Sequence, residues 1–388
     1  MAPDAVSPSP TFDPGFSTPA MTAAFSDAAR VGAMLEFEAG LALAEQEAAI
    51  VPEAAAVAIA AACEAGVADP AGLLVAGWEA GTPVMPLLAE VRARLDPEAG
   101  QWLHHGATSQ DAIDTGLMLQ VSGALDILAD GLSGVAAALA GLASTHRTTA
   151  MMGRTFLQDA EATTFGLRAA QWLDPVIREM AALRRRRAGL PVQLGGPTGN
   201  LSALGADGPE VVAALAERLG LRAPAVAWHA DRAPIGLVVE AAARTARSMA
   251  KIAGDLVLLA QSGIGEVAMR PGSSSSMAHK RNPIDATRAL AAAAVATNSA
   301  QLVTGARPHE LERAAGAWHV EWVGVPLVFH ATGAAVEAVG RSLATLEVDT
   351  VAMAANLGGA NPHPAVAAAQ VWIDRVLADH RLILGGTQ

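Results

Sequence analysis

Apolar residues recur along most of the chain at helical rather than strand spacing. The periodicity begins at Ser26-Asp27, which offers an N-cap. Several short helices are expected up to about residue 95, interrupted at Pro52, Pro70 and Pro83. From Ser109 the pattern lengthens. Five runs with few breakers follow: Ser109 to Thr145, about 158–188, Ala233 to Gly265, Pro283 to about Leu302, and about Ala315 to Leu346. Runs of that length predict an all-α fold built on a long-helix bundle. No stretch alternates like the strands of a sheet, and extended pieces are expected only in connectors, for example around Val192. Polar or Gly-rich connectors at 104–108, 189–206, 266–282 and 304–314 separate the runs. Loops at the ends of a rigid bundle are where chemistry is usually carried. The expected organisation is an arm and small helical domain over 1–108, the bundle over 109–346, and a short C-terminal helical region over 347–388.

Composition sharpens this. Hydrophobic residues make up 52% of the 388 positions, aromatics 4%, charged residues 16%, and there is no Tyr. Ala-, Leu- and Val-rich helices with so little charge leave apolar faces that suggest burial between subunits. A net charge of −12 argues against nucleic acid or an anionic membrane as a partner, while leaving room for an anionic small molecule met by local cations. Cys63 stands alone, so neither an intrachain disulfide nor a Cys-based metal site is expected. The first 30 residues carry Asp4, Asp13 and several prolines without an apolar core, unlike a signal peptide. Apolar stretches such as Gly134 to Ala143 look too short to span a bilayer, so a cytoplasmic protein is expected.

The strongest chemical signal is the loop Gly272-Ser273-Ser274-Ser275-Ser276-Met277-Ala278-His279-Lys280-Arg281-Asn282-Pro283. Pro283 is expected to open the following helix at its first position. A carboxylate would be held jointly by the Lys280 charge, the Asn282 amide and that helix N-terminus. A serine such as Ser274 or Ser275 acts as a base only with a strongly lowered pKa. The plain alternative is a Ser-rich linker, against which Lys, Arg and Asn pressed on a helix start count. A second signal is His104-His105-Gly106-Ala107-Thr108-Ser109-Gln110-Asp111, just before the longest run. Thr108 or Ser109 caps that helix, and His104 with Thr108 and Ser109 suits substrate contact. For Asp111 alone, simple capping is an equal reading. Arg184 to Arg187 reads as a solvated helix C-terminus. The isolated His146, His229, His330, His363 and His380 read as surface or capping groups.

These two segments, with Arg154-Thr155-Phe156-Leu157-Gln158 between them, resemble the fumarase/aspartase superfamily in order and spacing, over nearly all of the chain from Phe25 to about Leu346. Within it the chain is most similar to the bacterial 3-carboxy-cis,cis-muconate cycloisomerase branch. Gly106 to Asp111, Pro191 to Gly196 and His309-Glu310-Leu311-Glu312-Arg313-Ala314-Ala315-Gly316-Ala317-Trp318-His319 carry that likeness. The resemblance implies a homotetramer with a central twenty-helix core, each site drawing one segment from each of three subunits, and no metal or cofactor. It makes Ser274, six positions before Lys280, the catalytic base. Ser274, Ser275 and Lys280 are thus the candidate catalytic residues. Lys280 and Asn282 match carboxylate-binding positions; His104, Thr108 and Ser109 match the first substrate-binding segment, and Thr155 and Gln158 the second. A tricarboxylate needs further cations, for which Arg154, His279, Arg281 and Arg313 are candidates, with a core or interface polar pair an equal reading of Arg313 and His319.

Several positions depart from the superfamily. Ser273 stands where the loop usually has Gly, and Ala278 where it has Pro. Phe156 occupies the place of a general-acid His, Thr287 that of its Glu partner, and Thr82 to Leu88 lacks a further His. Losing both members of one acid–base pair points to a reaction whose leaving group, in the elimination direction, is a carboxylate; with a pKa near ~4 it departs without protonation. The likeness weakens after Leu346, where family members carry a longer helical region. Alternatives are a lyase eliminating from a substituted succinate to give fumarate, and a non-catalytic structural descendant.

Overall fold

The computed structural model describes residues 14–272, 277, 280–306 and 308–385. Six helices come first, all but the second short: α1 (Pro19–Ala24), α2 (Asp27–Glu47), α3 (Glu53–Glu64), α4 (Pro70–Glu79), α5 (Val84–Arg92) and α6 (Pro97–Gly100). Ser26 caps α2 by accepting from the Ala29 N–H, as the sequence pattern predicts. Pro70 opens α4, while Pro52 and Pro83 stand just outside α3 and α5. At those positions a missing N–H removes no helical bond.

The bundle is α7 (Ser109–Thr145), α8 (Phe165–Ala188), α10 (Ala233–Leu259), α11 (Ile284–Thr304) and α12 (Ala317–Ala344), with α9 (Gly208–Arg218) between α8 and α10. Buried Ala286, Ala289, Ala292, Ala293, Ala296 and Ala300 give α11 a small-residue face. Such a face lets α10 and α12 pack close against it. Its core merges with those of α7 and α8 around Leu125, Leu128, Phe165, Trp172 and Phe329. A second core joins α2, α3 and α5 to α9, Val192, Leu194 and Trp318. The chain closes with α13 (Thr350–Asn356) and α14 (His363–Gly385).

The structure differs from the sequence reading in four places. Residues 158–164 are not the start of a long helix. They form β2 (Gln158–Thr164), antiparallel to β1 (Ala150–Thr155), and α8 begins only at Phe165, capped by Thr164. Pro283 is the N-cap of α11 rather than its first helical residue. The third run stops at Leu259; Gly265, at φ +61, lies in the turn beyond, before β3 (Val267–Ala268) pairs with β4 (Glu347–Val348). Finally, α7 and α12 are long and apolar enough to cross a membrane by length and composition, although their uninterrupted apolar stretches are short. Both are bundle helices here. Most of the apolar window of α12 is packed within the chain, but less than half of that of α7. Near Val192 the expected extended contact is present as a bridge between Pro191 and Arg222.

Candidate active site

The connector into α7 is held by carboxylates below it. Thr108 is the N-cap, and its N–H donates to Asp111 Oδ2 at 2.9 Å in a capping box. Asp111 is wholly buried and also accepts from Gly195 N (3.0 Å), Gly196 N (2.9 Å) and His229 Nε2 (2.6 Å). Capping is therefore only part of its work, since it also ties the 195–196 turn to α7. Gly106 has φ +66, which favours glycine, and a Cβ there would press on the Leu204 side chain at 2.8 Å. His104 shares the left-handed region at φ +64 and donates Nδ1–H to Glu38 at 2.7 Å; His105 Nδ1 lies 2.9 Å from Glu45.

Asp114, one turn below Asp111, accepts a bidentate pair from Arg232 (2.7 and 2.9 Å) and the Trp318 Nε1–H (2.9 Å). Arg232 also binds Glu321 at 3.0 and 2.5 Å and stacks on Trp228. Gln110 donates to Asp114 and to the His229 carbonyl, and its Oε1 accepts from Arg313 Nε at 3.0 Å. Arg313 is thus tied to the first turn of α7 through Gln110. This network holds the start of α7, the 193–197 turn, the start of α10 and the 309–321 segment as one unit.

The second segment is the turn of the β1–β2 hairpin. Thr155 and Gln158 form its last rung, with Phe156 and Leu157 between them at φ +49 and +61, the two-residue type I′ pattern. Neither is the Asn or Gly that such a turn favours. Phe156 is fully exposed and Leu157 72% exposed, so two apolar side chains stand in solvent at the tip. Arg154 is committed elsewhere. Its Nη atoms bind the buried Glu266 at 3.0 and 2.8 Å and its Nε binds Asp159 at 3.1 Å, while Asn356 adds 2.9 Å to Glu266. The hydrogen bonds it donates to Glu266 hold the Arg154 guanidinium above its ordinary pKa despite burial.

At the signature loop Gly272 N–H donates to Asn282 O at 2.9 Å, closing the loop at its base. A Cβ on Gly272 would fall 2.0 Å from Ile284 Cγ1, so only glycine fits. Lys280 and Arg281 are exposed and Asn282 is half-buried. Ser274, Ser275 and His279 lie outside the described residues. Among the described residues no group of three His, Cys, Asp or Glu side chains is placed to hold a metal ion.

Helix lengths set how far apart these pieces are. Arg232 and Asp114 meet where α10 and α7 begin, and Glu266 bonds back to Leu259 at the far end of α10. That helix has 27 residues, about 40 Å at about 1.5 Å each. Gly272 is six residues from Glu266, within about 20 Å of it. Arg154 and the signature loop therefore sit toward one end of the bundle, and His104, Thr108, Ser109 and Arg313 at the other. The remaining histidines are not all peripheral: His229 and His380 are buried, and burial pushes His330 down to about 4, while His146 caps α7 as expected. Sequence reasoning missed Glu38, His229 and Arg232, whose partners are 66 to 118 positions away.

A family described as lyase matches residues 15–297. The chain belongs to the lyase family. This lyase is 40% identical to a 3-carboxy-cis,cis-muconate cycloisomerase of Bradyrhizobium diazoefficiens, over 90% of the chain and 79% of that protein. It is 38% identical to a nitrosuccinate lyase of Streptomyces davaonensis, over 94% of the chain and 79% of that protein. The solved 3-carboxy-cis,cis-muconate lactonizing enzyme of Pseudomonas putida matches with a TM-score of 0.88 at 32% identity, covering 96% of this chain and 99% of that one. The long-helix bundle is thus of the fumarase/aspartase type.

Proposed function

We propose that this lyase is a cycloisomerase converting 3-carboxy-cis,cis-muconate to a carboxymuconolactone, working in the cytoplasm as a homotetramer. The observation that carries the reading is the hairpin tip. Its turn presents Phe156, which cannot transfer a proton, and Thr287, at the position of its usual partner, is spent on the Ile284 carbonyl. A reaction that releases an amine or hydroxide needs an acid there. Lactone formation does not.

In the forward direction a substrate carboxylate oxygen adds to a C=C bond of the same molecule, where proximity is already provided. The electron pair moves into the neighbouring carboxylate, giving an aci-carboxylate that Lys280 and Asn282 are suited to stabilise. Ser274 delivers a proton to carbon and is reprotonated from water, so one proton is taken up per turnover. Ser275 and His279 accompany it in the loop; Arg281 and Arg313 supply charge for the remaining carboxylates, with His104, Thr108, Ser109, Thr155 and Gln158 lining the site. Four copies of the five long helices give the twenty-helix core, and the under-packed face of α7 supports such a core. Arg154, engaged by Glu266 and Asp159, fits a structural role better than direct substrate contact.

The test is incubation of the purified protein with 3-carboxy-cis,cis-muconate, following loss of the diene's ultraviolet absorbance. Rapid loss with lactone formation is expected, and Ser274→Ala should slow it by at least about a thousandfold without altering the fold. A well-folded tetramer that leaves the diene intact overturns the reading. The second reading, elimination from a nitro-substituted succinate, is favoured by the match to a nitrosuccinate lyase over 94% of the chain and by a leaving group that needs no acid. Fumarate and nitrite as products identify it.

A further inference from the structure

We infer that Glu38 is a positioning residue that keeps His104 as an imidazolium, leaving its Nε2–H as the donor offered to a substrate carboxylate. The inference rests on the cycloisomerase reading only for which polycarboxylate is bound.

Two unfavourable features meet at one hydrogen bond. Glu38 lies in the middle of α2 and is 1% exposed. Its Oε1 accepts from His104 Nδ1 at 2.7 Å, and its Oε2 is buried without a partner. A carboxylate held this way weakens a core relative to an apolar side chain of the same size. His104 in turn sits at φ +64, a left-handed conformation that strains a non-glycine residue. Packing alone explains neither. Together they fix one imidazole by its Nδ1 at the mouth of the first substrate segment.

The charges around the pair all bear on the ring's protonation. On α2 itself, burial first and then the Glu38 charge push Glu45 up to about 8, so at neutral pH it holds its proton. Cys63 of α3 is pushed up to about 12, mainly by burial and then by Glu38, and stays a neutral thiol. Arg94, after α5, is occupied by the Ala62 and Gly66 carbonyls and Glu90. Burial lowers His105, leaving it neutral beside Glu45. For His104 burial is the largest effect and opposes the charge, as does Arg92. The Glu38 charge and hydrogen bond, with Asp111 of α7, outweigh both and leave its pKa raised. The balance favours the charged form of a ring fixed just before the N-terminus of α7, on a chain whose net charge is −12.

Three measurements test this on the full-length protein. The His104 ring, observed in protein labelled with 13C-histidine and assigned by its disappearance in His104→Gln, should titrate above 6.5; a value below 6.5 in the wild type overturns the inference whatever the variants do. In Glu38→Gln the ring should titrate below 6.5. Affinity for the unreactive tricarboxylate propane-1,2,3-tricarboxylate should then fall about tenfold at pH 7.5 and recover as the pH is lowered toward 6. The double variant Glu38→Gln/His104→Gln should bind no worse than His104→Gln. A loss equal at both pH values, or an unchanged affinity, assigns Glu38 a merely structural role. None of these readouts needs turnover. A wild type that binds the tricarboxylate through this pair but leaves the muconate unchanged overturns the reaction assignment alone.

Discussion

All three guanidinium nitrogens of Arg154 are taken by carboxylates, two by Glu266 and one by Asp159. Removing one partner of a buried pair leaves the other charge stranded, which typically costs about 3–5 kcal/mol. Arg154→Met is expected to lower unfolding stability by about 3 kcal/mol in urea titrations, because Glu266 is fully buried and would keep only Asn356. A variant that unfolds like the wild type but loses affinity for polycarboxylates returns Arg154 to the substrate. At this scale the sequence names the chemistry but not the partners. Arg154 and Arg313 look equally available as residue types, yet Arg313 reaches the first segment through Gln110, and Arg154 is buried against a glutamate 112 positions on. His229 carries no local signal at all: it reads as an isolated surface group until the fold sets it 2.6 Å from Asp111.

The β1–β2 hairpin shows the same limit for elements. Gln158, Asp159, Ala160, Glu161 and Ala162 are ordinary helix residues, and by propensity they extend α8 backwards. They form a strand because the buried Met151 and Met152 fix β1, whose ladder they complete. The five long runs, in contrast, are legible to within a few residues at most ends. Their apolar periodicity and caps such as Thr108 agree with the packing. The turn's two exposed apolar residues at positive φ make sense only if something covers them. Replacing Phe156-Leu157 by Asn-Gly gives the turn its preferred residues, so the isolated hairpin should not suffer. If another copy of the chain buries the tip, the double variant keeps its helical circular dichroism but loses most turnover and sediments partly as smaller species. Unchanged sedimentation together with full activity refutes that role.

At the scale of the whole molecule, neither α7, α10 nor α11 can bring its two ends together. The first segment and Arg313 stand at one end of the bundle and the signature loop at the other, about 30–40 Å away by the lengths of α11 and α10. A substrate a few ångströms across cannot touch His104 and Lys280 of the same chain. If both belong to one site, they come from different copies, and the site exists only in the assembly. Two variants that are each inactive, His104→Gln in the first segment and Lys280→Ala in the loop, then damage different chains at every shared site. When the two are unfolded together and refolded as a mixture, random assembly leaves some sites with an intact histidine from one chain and an intact lysine from another. For chains mixed in equal amounts that fraction is roughly a quarter, so roughly a quarter of wild-type turnover should return. Each variant refolded alone should stay inactive, and an inactive mixture would mean that the two residues never serve the same site.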